Sequence, residues 1–261
     1  MQLGYAFDNA HDATTDRFDA LAQLFDGRSV ANLASVGIKP GWSCLDVGAG
    51  GGTIATWLCT QVGRRGRVTA TDINTRFLDS IRRPNLQIQR HDIVSDSLPE
   101  TQFDLVHTRL VLVVVADRQK PLAKMLAALK PGGWLVAEEF DSISLSAIPC
   151  GAERTLKSLL AMQQLLKSSG ADLQFGRRLA FLLRELGCVD VTAEGHVSIW
   201  NGGSSGARLL CANITQLRDQ MIQNGLVGAE EVDSDLAALD DPNTSFLSPM
   251  LWSVRARRRM T

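Results

Sequence analysis

Apolar and polar positions change period repeatedly along the chain, and the changes mark its elements. Over residues 5–36, Phe18, Leu21, Ala22, Leu24 and Phe25 recur at helical spacing. Gly27 interrupts them, so the pattern predicts a helix up to that point and a second short one over 29–35, closed by Gly37. Lys39-Pro40-Gly41 is a turn feeding a strand at 43–47. Four glycines follow (Gly48, Gly50, Gly51, Gly52), and Thr53 opens an apolar-periodic helix running to about residue 62. Beyond a basic turn come a strand at 67–71 with Asp72 at its end, a helix at 74–82 stopped by Pro84, and a strand at 86–90. A strand at 103–107, a loop at 111–116, a helix at 118–129, a Lys-Pro-Gly-Gly turn at 130–133 and a strand at 134–138 complete the first half.

This alternation predicts an α/β fold, a doubly wound parallel sheet with right-handed crossovers. The second half reads as helices at 153–168 and 178–186, a strand at 189–200, helices at 205–224 and 230–239, and a last strand at 245–254. Residues 1–261 are expected to form one domain: a helical N-terminal lid (1–40), a core with the glycine turn (41–141), and a half that completes the sheet and recognises a substrate (142–261). No separate second core, repeat or low-complexity segment is expected.

A net charge of −1 removes any global electrostatic case for nucleic acid or an anionic membrane. The arginines at 255 and 257–259 read as a solvated tail. Five scattered cysteines without a CxxC pair speak against a disulfide framework or zinc site and suit a reducing cytosol. The polar, acidic start is unlike a signal peptide, and the longest apolar run, 110–116, is too short to span a bilayer. A cytoplasmic protein is expected, with no membrane or nucleic-acid partner and with a homodimer compatible with the composition.

The glycine spacing narrows the ligand. A dinucleotide site wants G-x-G-x-x-G, and counted from Gly48 and Gly50 its third glycine would fall on Thr53, so that fingerprint fails. Asp46, two residues ahead of Gly48, puts a carboxylate at the strand's mouth, where it would repel a pyrophosphate and attract an ammonium group. Asp72 stands where an acid can take two ribose hydroxyls, with Ile73 to pack on a base. It would equally cap a helix starting near Asn74.

The stretch from Cys44 to Leu58 (CLDVGAGGGTIATWL) resembles motif I of class I S-adenosylmethionine (SAM) dependent methyltransferases of the small-molecule type, and the likeness extends over about residues 42–141. It implies a Rossmann-like, seven-stranded, mostly parallel sheet with helical insertions after strands 5 and 6. It also implies SAM as cofactor, S-adenosyl-L-homocysteine as product, and no metal. Carried over residue by residue, it places Asp46 near the SAM amino group and Gly48, Ala49, Gly50, Gly52 and Thr53 in the loop that approaches methionine and ribose. Asp72 and Ile73 fall on the nucleoside, and Asp92 and Ile93 on the adenine edge, against the plainer reading of Asp92 as a loop residue. Thr108 and Arg109 fall on the lip beside the methyl group. Tyr5, with Phe7, could close the nucleoside pocket or simply pack the first helix.

The chain departs from the family where relatives often carry a histidine after strand 4; it has Val113, Val114 and Val115. Candidates for acceptor activation are therefore His11, His107, His196 and Asp141, with Glu138 and Glu139 beside the last, while His91 is assigned to the adenine edge or to solvent. Trp200, Phe246 and Trp252 are divided between an acceptor pocket and core packing, with core favoured. Three functions follow: methyl transfer to a small-molecule acceptor at oxygen or nitrogen, use of SAM as a non-methylating cofactor, and regulatory SAM binding without catalysis.

Overall fold

Strands β1 (Ser43–Val47) and β4 (Phe103–Arg109) are buried along almost their whole length, as parallel strands covered on both faces must be. The computed structural model describes residues 14–145 and 155–260. Its main sheet has seven strands in the order β3-β2-β1-β4-β5-β9-β6, where β2 is Arg67–Asp72, β3 Leu86–Arg90, β5 Leu129–Asp141, β6 Val189–His196 and β9 Met250–Arg257. β1 to β5 pair in parallel, and β9 runs antiparallel to both neighbours. Strand order reverses between β1 and β4, so a crevice is expected above their carboxyl ends.

Two apolar layers cover this sheet. On one face, Ile54, Leu58 and Val62 of α2 (Thr53–Val62) and Leu33 of α1 (Thr14–Ser35) pack with Cys44, Leu105 and Val136. On the other, α3 (Gln119–Ala128) and α5 (Gly176–Glu185) bring Leu122, Met125, Leu179 and Leu183 against Val106, Leu135 and Val254.

A third cluster joins α1 to α4 (Lys157–Ser168), α6 (Ser205–Gln223) and α7 (Ala229–Asp240) and reaches the sheet through Leu251 of β9. Trp200 and Phe246 meet edge-to-face inside it on a small ribbon of β7 (Ile199–Asn201) and β8 (Ser245–Leu247). A Cβ on Gly206 would lie 2.1 Å from the Trp200 ring, so glycine is what lets α6 sit on the indole. Both aromatics are core.

Several local expectations give way to tertiary context. α1 passes straight through Gly27: its buried side continues from Leu21 and Phe25 to Ser29 and Leu33, and that packing outweighs the roughly 1 kcal/mol a mid-helix glycine costs. Residues 74–82 form only turns. Asp72 Oδ1 and Asn74 Oδ1 accept the N–H groups of Asn74 and Arg76, offering the backbone an alternative to a helix, and Pro84 closes the far end. The 130–133 turn lies inside β5 as an irregular entry, with Gly132 at φ 77°. The long strands expected at 189–200 and 245–254 each split, giving β6 with β7 and β8 with β9.

The terminal arginines are not a solvated tail. Arg257 belongs to β9 and donates to the carbonyl of Gly132, while Arg258 donates to the carbonyls of Leu126, Ala127 and Leu129 at the end of α3. A cation at a helix carboxyl end is favoured by both hydrogen bonding and the dipole.

The first turn of α4 has no cap from its own N-cap residue, Leu156; buried Asp235 of α7 accepts the Ser158 N–H at 2.7 Å instead. Asp235→Ala should therefore destabilise the fold by about 1–3 kcal/mol. Asp235→Asn, which keeps an acceptor, should cost less. Urea unfolding of both variants checks the order.

Candidate active site

At the crevice the chain leaves β1 through glycines whose geometry is imposed by neighbours. Gly48 has φ 68°, and a Cβ on it would lie 2.2 Å from Val111 Cγ2. Gly52 has φ 75°, and its Cβ would meet Ile81 Cδ1 at 2.3 Å and Leu78 Cδ2 at 2.8 Å. The first glycine keeps a wall close to the turn, and the second seats the start of α2 on the 75–81 segment.

Over this turn opens a cavity of about 1190 Å³. Asp46, Gly48, Ala49, Gly50 and Thr53 line it, as do Asp72, Ile73, Asp92, Ile93, His107 and Arg109. Gly52 does not reach its wall. Nor does Thr108, which is fully buried. Strand alternation explains Thr108: His107 faces the α1 side of the sheet, so its neighbour faces the other. Tyr5, Phe7 and His11 lie outside the described residues.

Asp72 carries two loads. Oδ2 accepts the Gly50 N–H at 2.9 Å and Oδ1 the Asn74 N–H at 3.1 Å, so it ties the glycine turn to the end of β2. Burial pushes its carboxyl above the usual range, although those backbone donors pull it down. Each oxygen keeps a further lone pair. Beside this buried acid, Ile73 is left 42% exposed on the cavity wall.

Asp92 organises its own turn. Oδ1 accepts the Val94 N–H at 2.9 Å and Oδ2 the Ser95 hydroxyl at 3.1 Å. Lys124 of α3 fastens the same loop through the carbonyls of Ile93, Val94 and Asp96.

Beneath the cavity lies a buried polar chain. His107 Nδ1 is 2.7 Å from Asp46 Oδ1, and Nε2 is 3.6 Å from Glu138 Oε2. Glu138 Oε1 accepts from the Asn32 amide at 3.2 Å and the Ser253 hydroxyl at 2.6 Å; the Ser29 hydroxyl donates to Oε2. Burial alone would strip the proton from His107, but the Asp46 and Glu138 carboxylates outweigh it and raise its pKa to about 9. Burial would raise Glu138 too, yet His107 and the hydroxyls of Ser253 and Ser29 hold it at about 2. His107 is a cation at neutral pH and has no lone pair to offer as a base.

The other candidates sit elsewhere. His196, on the edge strand β6, contacts Arg28 at 3.0 Å and Ser198 at 2.9 Å, off the cavity. Asp141 is paired with Arg177 and accepts the Ile143 N–H. His91 does line the cavity, with Nε2 3.2 Å from the Ser97 carbonyl. Arg109 is committed to α1 through Asp26 and Ser29, both at 2.9 Å.

Three residues play parts that the sequence did not indicate, although Glu138 and Glu139 stood among its candidates for acceptor activation. Phe18 of α1 lies over Gly50 and Gly51 and meets Phe77 edge-to-face, which roofs the turn. Glu139 accepts the N–H groups of Val111, Leu112 and Val113 at 3.2, 2.7 and 3.1 Å, fixing the wall beyond β4, where Leu110 adopts φ 58°. Burial pushes Glu139 up to about 8 against those three donors. Glu138 is the third. Its signal was the period of two, which puts Asp46, His107 and Glu138 on one sheet face, each two residues beyond an apolar position (Cys44, Leu105, Val136).

The His107 pKa gives a stability signature. A histidine with a raised folded-state pKa contributes fully below about 6.5 and loses its contribution as pH rises through about 9. Glu139, raised from 4.5 to about 8, also lowers stability across the lower part of that range. The urea midpoint should therefore fall between pH 6.5 and about 9.5, and His107→Asn should flatten the part above pH 8.

Residues 45–137 match the family described as "Methyltransferase domain". Among curated proteins, the chain is 31% identical over 117 residues to the ubiquinone/menaquinone biosynthesis C-methyltransferase UbiE of Francisella tularensis subsp. novicida, over 42% of this chain and 47% of that one. The chain thus spans about half the length of that relative. Among solved structures, a phosphoethanolamine N-methyltransferase 2 of Haemonchus contortus, in complex with phosphomonomethylethanolamine and S-adenosylhomocysteine, is 16% identical with a TM-score of 0.59 over 94% of this chain and 57% of that one. A putative methyltransferase of Bacillus halodurans is 14% identical with a TM-score of 0.60, over 88% and 98%. With the strand order and the turn after β1, these likenesses show that residues 45–137 are similar to a methyltransferase domain and that the chain has the fold of the class I SAM-dependent methyltransferases.

Proposed function

We propose that the chain transfers the methyl group of SAM to a small-molecule acceptor. The observation that carries this reading is the floor of the cavity: Asp46 Oδ2 is buried there without a partner, beside a glycine turn that side chains would fill. A buried carboxylate oxygen with no donor is costly unless a ligand supplies one. The ammonium group of a bound SAM would do so. Asp72 would accept the ribose hydroxyls with the lone pairs its backbone donors leave, Ile73 and Ile93 would flank the adenine, and Asp92 would take its amino edge. SAM, when bound, supplies an electrophilic methyl group whose transfer leaves S-adenosyl-L-homocysteine.

The rest of the cavity is the acceptor's. Leu21 and Phe18 of α1, with Leu110, Val111 and Val114, give it an apolar side, while Arg17, Asp19 and Asp117 also line it, which suits a compact acceptor with a polar end. With His107 paired to Asp46, Asp141 in an ion pair and His196 remote, the contribution of these residues is alignment and exclusion of water. That suits an oxygen or nitrogen nucleophile already carrying its lone pair. No helix among the described residues is long and apolar enough to cross a membrane.

The test is incubation with methyl-labelled SAM and a panel of small hydroxyl, amine and activated-carbon compounds. Label transfer with release of S-adenosylhomocysteine is expected for an oxygen or nitrogen acceptor. Binding of SAM with no transfer across the panel would instead favour a non-methylating or regulatory use of the cofactor. Asp72→Ala should weaken SAM binding about tenfold or more, because it strands two ribose hydroxyls. Unchanged affinity overturns the ribose assignment. Titration with NAD should give no binding.

A further inference from the structure

We propose that His107 is a positioning residue for the methyl donor: set between two carboxylates, it fixes Asp46, which lines the cavity, so that the unpartnered Oδ2 is left to receive the donor's ammonium group. This rests on the reading of Asp46 given above and adds a residue to it.

The argument is geometric. Asp46 sits at the end of a strand, 2% exposed, and its two oxygens have different surroundings. Oδ1 is taken by His107 Nδ1 at 2.7 Å; Oδ2 has no partner. A carboxylate held by one oxygen cannot rotate freely about its Cβ–Cγ bond, so the free oxygen keeps one direction. On the other side of the ring, Nε2 lies 3.6 Å from Glu138 Oε2, beyond hydrogen-bond reach, so charge rather than a hydrogen bond links His107 to Glu138. Glu138 in turn is fixed from α1 by Ser29 and Asn32 and from β9 by Ser253. The groups facing His107 are thus Asp46 from β1 and Glu138 from β5, with the α1 side chains one step beyond. Without the imidazolium, two carboxylates would share one buried site with nothing between them, and one would have to leave or take up a proton. With it, one negative charge stays uncompensated, at the unpartnered Oδ2 of a residue that lines the cavity.

The experiment is calorimetric titration of the full chain with two ligands. S-adenosylhomocysteine carries the amino-acid half; 5′-methylthioadenosine carries the nucleoside alone. For His107→Val, binding of S-adenosylhomocysteine should weaken at least tenfold while methylthioadenosine stays within twofold of the parent, which also certifies the fold. His107→Asn places an amide N–H near the Nδ1 position and should recover part of the loss. Equal weakening of both ligands, or no weakening of S-adenosylhomocysteine, overturns the proposal. If the valine variant does not fold, His107→Asn decides alone: at least threefold weakening confined to S-adenosylhomocysteine supports the role, and any other result overturns it. Asp46→Asn separates the two readings. If it leaves S-adenosylhomocysteine affinity unchanged, the ammonium assignment falls and the His107 role with it. If it weakens binding while the His107 variants do not, only the His107 role falls.

Discussion

A cation buried between two carboxylates, across three adjacent parallel strands, is the constraint on which the cavity depends. Asp46, His107 and Glu138 come from β1, β4 and β5, and each is almost fully buried. Charges at such a depth persist only when paired and hydrogen-bonded, and removing one partner leaves the others uncompensated. The pairing therefore constrains more than itself. It needs the β1–β4 register that sets Asp46 opposite His107, and it needs α1 close enough for Ser29 and Asn32 to reach Glu138. A slip of one residue in β4 would carry His107 to the opposite face and bring Thr108 into its place.

Two consecutive glutamates at the end of β5 divide the work of shaping the cavity. Because strand side chains alternate, Glu138 faces the α1 layer and Glu139 faces the α3–α5 layer. The first fastens the helix whose Phe18 and Leu21 form the roof; the second gathers three backbone N–H groups of the wall that follows β4. Arg109, through Asp26 and Ser29, adds a second tie from β4 to α1. Roof and wall are thus attached to the same central strands as the floor. That is why a chain with a left-handed Leu110 at the cavity can hold its shape there.

What could be read from the chain alone was what local chemistry decides. The glycine turn, the acids at strand ends and the alternation of the first half are short-range patterns, and they led to the strand positions and the fold class. Positions governed by distant partners were not legible. Gly27 looks like a helix break until the continuous packing of α1 is seen, and residues 74–82 look helical until Asp72 and Asn74 are found holding their N–H groups. The terminal arginines look solvated until the carbonyls at the end of α3 are placed beside them. The site divides in the same way. Asp46 and Asp72 announce themselves beside glycines or at strand ends. Thr108 needed the pleat to be placed correctly, and the tie from Glu138 to α1 depends on a contact spanning more than a hundred residues.

The same buried chain bears on how the proposed reaction can run without His107 as its base. A histidine with a pKa near 9, flanked by two carboxylates, would be a poor proton acceptor at neutral pH even if an acceptor reached it. Its worth lies in charge. In the proposed reaction the uncompensated oxygen of Asp46 would meet a donor that carries a cationic ammonium and a cationic sulfonium, and transfer would remove the second of these. Electrostatic attraction to the cavity's acids is then weaker for the product than for the donor, because one positive charge has gone while Asp46, Asp72 and Asp92 remain in place. An arrangement that favours the charged donor and relaxes once the methyl group has left helps to bind the donor and release the product, while the proton of a hydroxyl or amine acceptor passes to water. Such an arrangement needs the carboxylates to be held apart and aimed, and that is what the imidazolium between Asp46 and Glu138 does.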